Sequence, residues 1–421
     1  MQYFEIAGGN RLKGTISISG AKNAALPIMA ASILVDGETV LHNVPDLADV
    51  RQMQALLARL GVKSSRDEDG TMRLRVEDEM NCHAEYEIVS KMRASVCVMG
   101  PLLAKRRRAQ VSMPGGCAIG DRPIDLHVTG LTAFGADSDL VNGDVLLKAK
   151  KLSGCDIFLG GPFGSSVTAT CNIMMAATLS QGTTVIESAA CEPEVLDLAN
   201  FLNAAGARVN GQGTPRITVE GVDTLHGCEH TIIPDRIEAG TFMIAAAITN
   251  GDLELQGGRI DHMRAVVDRL RKVGVIIEQG EKGIAVASSR RLEAVEITTQ
   301  PYPGFPTDLQ AQAMALLSLA DGNSVITEKI FPDRFLHVGE LSRMGARLRK
   351  EGPTVIVIGA KKLIGAPVMA SDLRASAALI LAGLIAKGTT RVQRTYHIDR
   401  GYEKIEEKLV GVGAAIRRVS E

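Results

Sequence analysis

Five stretches of this chain share one pattern of apolar and polar positions. They are KNAALPIMAASILVDGETVLHNV from Lys22, VTATCNIMMAATLSQGTTVIESA from Val167, RIEAGTFMIAAAITNGDLELQGG from Arg236, TDLQAQAMALLSLADGNSVITEK from Thr307 and LRASAALILAGLIAKGTTRVQRT from Leu373. Each opens with a run of Ala, Met, Leu and Ile that is apolar nearly all round, which predicts a helix buried on every side. A glycine turn and a β-branched strand follow. A sixth, more degenerate copy, RASVCVMGPLLAKRRRAQVSMPG from Arg93, carries a basic cluster where the others carry the glycine turn. The copies begin 66 to 74 residues apart, a spacing that marks a repeat architecture.

The segments between these copies also repeat: DLADVRQMQALLARLGVKSS, DLHVTGLTAFGADSDL, EVLDLANFLNAAGARVNGQG, DHMRAVVDRLRKVGVIIEQG, HVGELSRMGARLRKEG and GYEKIEEKLVGVGAAIRRV. Their apolar residues fall on one helical face, and a glycine stands just before the next strand, where a helix C-cap is expected. The unit therefore reads strand, buried helix, strand, amphipathic helix, strand, strand, an α/β order with helices inside and sheets outside. A chain of 421 residues exceeds one ordinary core, so two groups of three units are expected. The crossings fall near residues 21 and 234. The first domain is 22–233 and the second is 1–21 plus 234–421, with an active site in the cleft between them.

Composition narrows the function. Lys+Arg 47 against Asp+Glu 48 leaves no overall charge to attract nucleic acid or an anionic membrane, so an anion site must be local. Trp is absent and aromatic residues make up 3%, which removes base-stacking platforms. No signal pattern opens the chain, and its longest uncharged apolar run, ASAALILAGLIA, is too short to span a bilayer; a soluble, cytoplasmic protein is expected. The seven cysteines form no C-x-x-C pair and have no His at ligand spacing, so neither a disulfide framework nor a metal site is expected.

The polar residues of the buried helices sit at their starts: Lys22 with Asn23, Arg93, Arg236, Asp308 and Arg374. Cations there oppose the helix dipole, and with the backbone N–H groups of the helix ends they make an anion-binding arrangement. The loop VSMPGGCAIGDRPIDLH sets Cys117 among Gly115, Gly116 and Gly120, with Asp121 and Arg122 behind it. Its glycines suit a hinged lid, and a guanidinium near a thiol lowers the thiol pKa.

Six motifs in order, SGAKNAALP (19–27), PGGCAIGDRPIDLH (114–127), FPTDLQAQ (305–312), RFLHVGELSRMGA (334–346), DLRASAAL (372–379) and IDRGYEKIEEKL (398–409), resemble the UDP-N-acetylglucosamine 1-carboxyvinyltransferases over the whole chain. The resemblance implies an inside-out α/β barrel of two three-repeat domains. It also implies transfer of the enolpyruvyl group of phosphoenolpyruvate to the 3′-hydroxyl of UDP-N-acetylglucosamine with release of phosphate, the committing step of peptidoglycan and cell-wall synthesis and hence of cell shape and division. No cofactor and no metal is implied, and the oligomeric state stays open.

Residue by residue, the resemblance makes Cys117 the general acid toward C3 of phosphoenolpyruvate and the target of fosfomycin, and Asp308 the base for the sugar hydroxyl. Lys22, Arg122 and Arg400 would hold the carboxylate and phosphate, with Arg93 and Arg374 lining the same pocket. Asn23, Arg93, Arg122, Pro123, Asp125, His127, Ser165, Ser166, Asp308 and Ile330 would contact the nucleotide sugar. Asp372 and Asp399 read as partners of the neighbouring Arg374 and Arg400. The chain departs from the family at Gly164, Ser165, Ser166, Val167 and Thr168, where many members read Ser-Val-Gly-Ala-Thr. The sister family acting on shikimate 3-phosphate, a non-catalytic UDP-sugar-binding paralogue and a redox-sensing thiol protein are the rival readings.

Overall fold

The computed structural model describes residues 2–113, 124–289 and 291–420. They form two compact units, one of residues 2–19 with 234–420 and one of residues 20–113 with 124–233. Each unit has its own hydrophobic core.

In the unit around residues 20–233, the helices Lys22–Ala31, Met99–Arg106 and Val167–Ala177 carry almost uninterrupted buried faces. Three four-stranded sheets surround them. The other unit repeats the plan with helices Arg236–Ile248, Gln310–Leu317 and Leu373–Ile385, which pack on one another, and three further four-stranded sheets. Helices within and sheets without is the inside-out α/β barrel, and the reason is compositional. Only a helix of Ala, Met, Leu and Ile can be surrounded on all sides, whereas the alternating strands need one face toward water. Among the described residues no helix is long and apolar enough to cross a membrane.

Among the described residues all six four-stranded sheets follow one register plan. A short strand lies parallel to the strand that follows the buried helix, and two antiparallel strands complete the sheet. Asp156–Phe158 lies parallel to Thr183–Glu187, for example, and Glu296–Thr298 to Asn323–Thr327. The N-terminal strands complete two sheets of the unit of residues 234–420. Gln2–Ala7 inserts between Thr389–Gln393 and Ala415–Ser420, and Lys13–Ser17 lies parallel to Asp252–Gln256.

The amphipathic helices end as the pattern predicts: Gly61, Gly135, Gly206, Gly274, Gly345 and Gly413 all have φ between 80° and 107°. That left-handed cap is open to glycine at little cost and closed to most side chains. After the buried helices the same conformation recurs at Gly37, Gly182, Gly322 and Gly388, and in the degenerate copy it falls on Arg107, φ 58°. That copy differs in a second way. Arg93 opens a 3₁₀ segment, Arg93–Val98, and the α-helix begins only at Met99. Pro101, which lacks an N–H, thereby lies in the first turn, where no donor is required.

Candidate functional site

In the unit of residues 20–233 the expected cation Lys22 is nearly buried, and its Nζ lies 2.9 Å from Asp49 Oδ2. Asp49 sits in the first turn of Ala48–Arg59, an amphipathic helix to which the sequence reading gave no role. Its signal was visible only as an acid on the buried face of that helix. Asn23, one residue on, is exposed.

His127 lies in the helix Asp125–Ala133 and is 3% exposed, with both ring nitrogens engaged. Asn172 fixes its tautomer. The amide oxygen of Asn172 accepts from Gly100 N at 2.8 Å, so its Nδ2 must donate, to Val96 O and to His127 Nδ1, both at 2.8 Å. The imidazole proton therefore resides on Nε2 and points to Thr168 Oγ1, 3.2 Å away. Burial, helped by the positive charge of Arg93, pushes the His127 pKa down to about 3, so the ring is neutral. Thr168 supplies the acceptor for that proton.

Arg93 is half-buried at the head of the 3₁₀ segment that Asn172 ties down through Val96. Ser166 is the N-cap of Val167–Ala177, its hydroxyl accepting from Ala169 N, and Ser165 closes a two-residue strand pair with Gly160. Asp125 is exposed in the first turn of its helix. Cys117, Arg122 and Pro123 lie outside the described residues.

In the unit of residues 234–420 the structure gathers Asp308, Arg334 and Arg374. Asp308 belongs to a 3₁₀ turn, Thr307–Leu309, ahead of the helix Gln310–Leu317. Its Oδ1 accepts from Arg334 Nη1 at 2.8 Å and its Oδ2 from Arg374 Nη2 at 2.8 Å. Burial would raise this carboxyl, but Arg374 and Arg334 outweigh it and hold the pKa well below the usual carboxylate range. Neither Thr307–Leu309 nor Gln310–Leu317 has a side-chain cap, so the capping alternative gives way to an ion-paired carboxylate flanked by two cations.

Arg334 stood inside a recognised motif without a role. It is 7% exposed and also donates to Thr307 Oγ1 at 3.0 Å. Thr307 donates in turn to Glu328, a fully buried carboxylate. Glu328 also accepts from the N–H groups of Ile330 and Phe331, which places Ile330 in the same network as Asp308. Sequence gave no signal for Glu328 beyond an acid at the end of a β-branched strand.

Two expected pairings are corrected. Asp372 does not pair with the guanidinium of Arg374; it is the N-cap of Leu373–Ile385, accepting from Arg374 N and Ala375 N. A residue two before another at a helix start turns its side chain back onto the backbone. Asp399 binds Arg418, through Nη1 at 2.9 Å and Nη2 at 2.6 Å, because Arg418 lies on the neighbouring strand Ala415–Ser420. Arg400 itself is half-buried at the end of the 3₁₀ segment Thr395–Arg400. Asp235 caps the helix of Arg236 as Asp372 caps that of Arg374, so at these two helix starts an aspartate offsets the cation that the dipole disfavours. Among the described residues no group of His, Cys, Asp and Glu is placed to hold a metal ion.

The comparisons with known proteins agree along the whole length. The sequence profile of EPSP synthase (3-phosphoshikimate 1-carboxyvinyltransferase) matches residues 6–409. A UDP-N-acetylglucosamine 1-carboxyvinyltransferase of Methylacidiphilum infernorum is 54% identical over 419 residues, 100% of this chain and 99% of the relative. One from Desulfosudis oleivorans is 52% identical over 415 residues, covering 99% of each. Among solved structures, the enolpyruvyl transferase NikO from Streptomyces tendae is similar with TM-score 0.90 at 25% identity, over 100% of this chain and 99% of its own. An EPSP synthase from Acinetobacter baumannii, TM-score 0.77 at 19% identity over 100% of both chains, shares the fold.

Proposed function

The chain belongs to the UDP-N-acetylglucosamine 1-carboxyvinyltransferase family, and from that premise we propose that it transfers the enolpyruvyl group of phosphoenolpyruvate to the 3′-hydroxyl of UDP-N-acetylglucosamine, releasing phosphate. The observation that carries the reading is identity above one half over nearly the whole of both chains. In the site itself it is supported by a carboxylate that two arginines keep ionised at neutral pH.

The chemistry assigns the roles. Asp308 takes the proton of the 3′-hydroxyl as the oxygen bonds to C2 of phosphoenolpyruvate, and Cys117 delivers a proton to C3. In the second step C3 loses a proton, the C2–O bond to phosphate breaks and the enol ether forms. A carboxylate held this far down is a weak base, so proton removal must be concerted with attack on an electron-poor C2 rather than precede it. Lys22, Arg122 and Arg400 hold the carboxylate and phosphate, with Arg93 and Arg374 adding positive charge.

Asn23, Pro123, Asp125, Ser165, Ser166 and Ile330 are assigned to the nucleotide sugar. His127, neutral and with both nitrogens occupied, is assigned to shaping the floor beside Arg93. The reaction is placed in the cytoplasm, where both charged metabolites are found, at the entry to peptidoglycan synthesis.

Phosphate release from phosphoenolpyruvate tests the reading, measured with and without UDP-N-acetylglucosamine on wild type, Cys117→Ala and Asp308→Asn. Sugar-dependent release in wild type, lost in Asp308→Asn and blocked by fosfomycin, is expected. Release that depends on shikimate 3-phosphate instead would overturn it in favour of the sister reaction.

A further inference from the structure

We propose that Tyr402 is a positioning residue for Asp308 that acts through Arg374, an inference that rests on the assignment of Asp308 as the base. Tyr402 is among the largest fully buried side chains, 1% exposed. Its hydroxyl meets three partners: Arg374 Nη1 at 3.2 Å, Gln312 Nε2 at 3.1 Å and Thr241 Oγ1 at 2.8 Å.

A proton inventory orders this cluster. Guanidinium and amide nitrogens only donate, so Arg374 and Gln312 occupy both acceptor positions of the phenol. The phenolic proton has one destination left, Thr241, whose own hydroxyl proton goes to Ile237 O at 2.9 Å. Gln312 Nε2 also lies 3.2 Å from Thr241 Oγ1, so it shares one proton between that oxygen and the phenol, while Arg374 and Thr241 orient the hydroxyl. Burial raises the pKa of Tyr402 despite the neighbouring Arg374, which keeps it in the protonated form this inventory requires.

The consequence reaches Asp308 by two routes. The guanidinium of Arg374 is planar, so holding Nη1 on the phenol fixes the direction in which Nη2 meets Asp308 Oδ2. The same guanidinium stands 5.5 Å from the centroid of the Tyr402 ring, a cation–π contact that confines it further. Gln312 also donates to the backbone oxygen of Asp308 at 2.9 Å. The cluster thus holds the backbone of Asp308 directly and one carboxylate oxygen through Arg374, while Arg334 holds the other. A ring needed only to fill the core would serve as well without its oxygen, as Phe4 and Phe242 do in the same core.

Tyr402→Phe removes that single oxygen, keeps the ring and leaves Arg374 Nη1, on a side chain 4% exposed, without its acceptor. The test measures kcat and KM for the full chain as wild type, Tyr402→Phe, Arg374→Lys and the double variant, with urea midpoints alongside. Tyr402→Phe is expected to lower kcat about tenfold, the size of a lost hydrogen bond to a charged group, with KM for UDP-N-acetylglucosamine held within about twofold. In the Arg374→Lys background the same change should cost less than about twofold, because the group it positions is gone. Equal losses in the two backgrounds, or a loss carried by KM alone, overturn the proposal.

A second readout needs no turnover. In chain labelled at aspartate 13Cγ, with the Asp308 signal assigned from Asp308→Asn, Tyr402→Phe should shift that signal and raise the pH at which it titrates. A signal that stays superposed on wild type from pH 4 to 8 overturns the proposal even where Arg374→Lys is too slow to assay. Thr241→Val, which takes away the acceptor of the phenolic proton, is the second route to the same shift should Tyr402→Phe fail to fold. A wild-type chain without turnover rejects the assigned reaction, and the carbon signal still decides the coupling of Tyr402 to Asp308.

Discussion

Lys22 and Asp49 form an ion pair of 2.9 Å whose side chains are only 11% and 6% exposed. A pair this deep holds its two charges out of water, so removing Asp49 takes from the buried Lys22 ammonium the carboxylate that compensates it. Asp49→Ala is expected to lower the unfolding free energy by about 3 kcal/mol in urea titrations. The double change Lys22→Met with Asp49→Leu should recover most of that stability but abolish phosphate release, since the cation assigned to phosphoenolpyruvate is missing. A double variant as unstable as Asp49→Ala alone would show that the loss has another origin.

Asp308 accepts from two arginines, and its ionisation follows from them. Because its pKa lies well below the ordinary carboxylate range, kcat should show no loss of the base as pH falls to about 5. Arg334→Ala removes one of the two lowering charges and the contact with Thr307, and is expected to cut kcat by about 100-fold. An acid limb that moves upward in this variant relative to wild type supports the ionisation argument; limbs that coincide count against it.

His127 gives a stability prediction with a definite sign. Its pKa is about 3 when folded against 6.5 when free, so its contribution is fully present above pH 6.5 and is lost as pH falls toward 3. Between pH 7.5 and 5 the unfolded chain gains a proton there that the native ring refuses, a loss of about 2 kcal/mol from this residue. Urea midpoints of wild type and His127→Gln at the two pH values measure it. The variant should lose less stability on acidification, and equal losses would contradict a neutral native ring.

All six described cysteines, 82, 97, 155, 171, 191 and 228, have thiols raised by burial, Cys97 to about 12. A raised thiol is a poor nucleophile at neutral pH. Mass mapping after brief alkylation at pH 7.5 is therefore expected to find Cys117 labelled first, and prior fosfomycin treatment to protect it. Comparable early labelling at Cys82 or Cys228 would remove the distinction between Cys117 and the rest.

The repeat, the order of its elements and the ends of its helices were legible in the sequence because they are local decisions. A helix of Ala and Met has no polar face to expose, and a left-handed cap admits glycine, as Gly61, Gly135, Gly206, Gly274, Gly345 and Gly413 show. The residue types of the site were legible for the same reason: Lys22, Asp308, Arg374 and Arg400 stand at fixed places in motifs. What each charge touches was decided only in three dimensions. Asp308 meets Arg334 and Arg374, 26 and 66 positions away, and Tyr402 closes on Thr241 across 161. Adjacency does not set the pairs: Asp372 accepts from backbone N–H groups at its own helix start, and Asp399 pairs with Arg418 on a neighbouring strand, because ion pairs here form between elements. Packing three repeats around shared buried helices brings those elements together, and no single repeat contains that information.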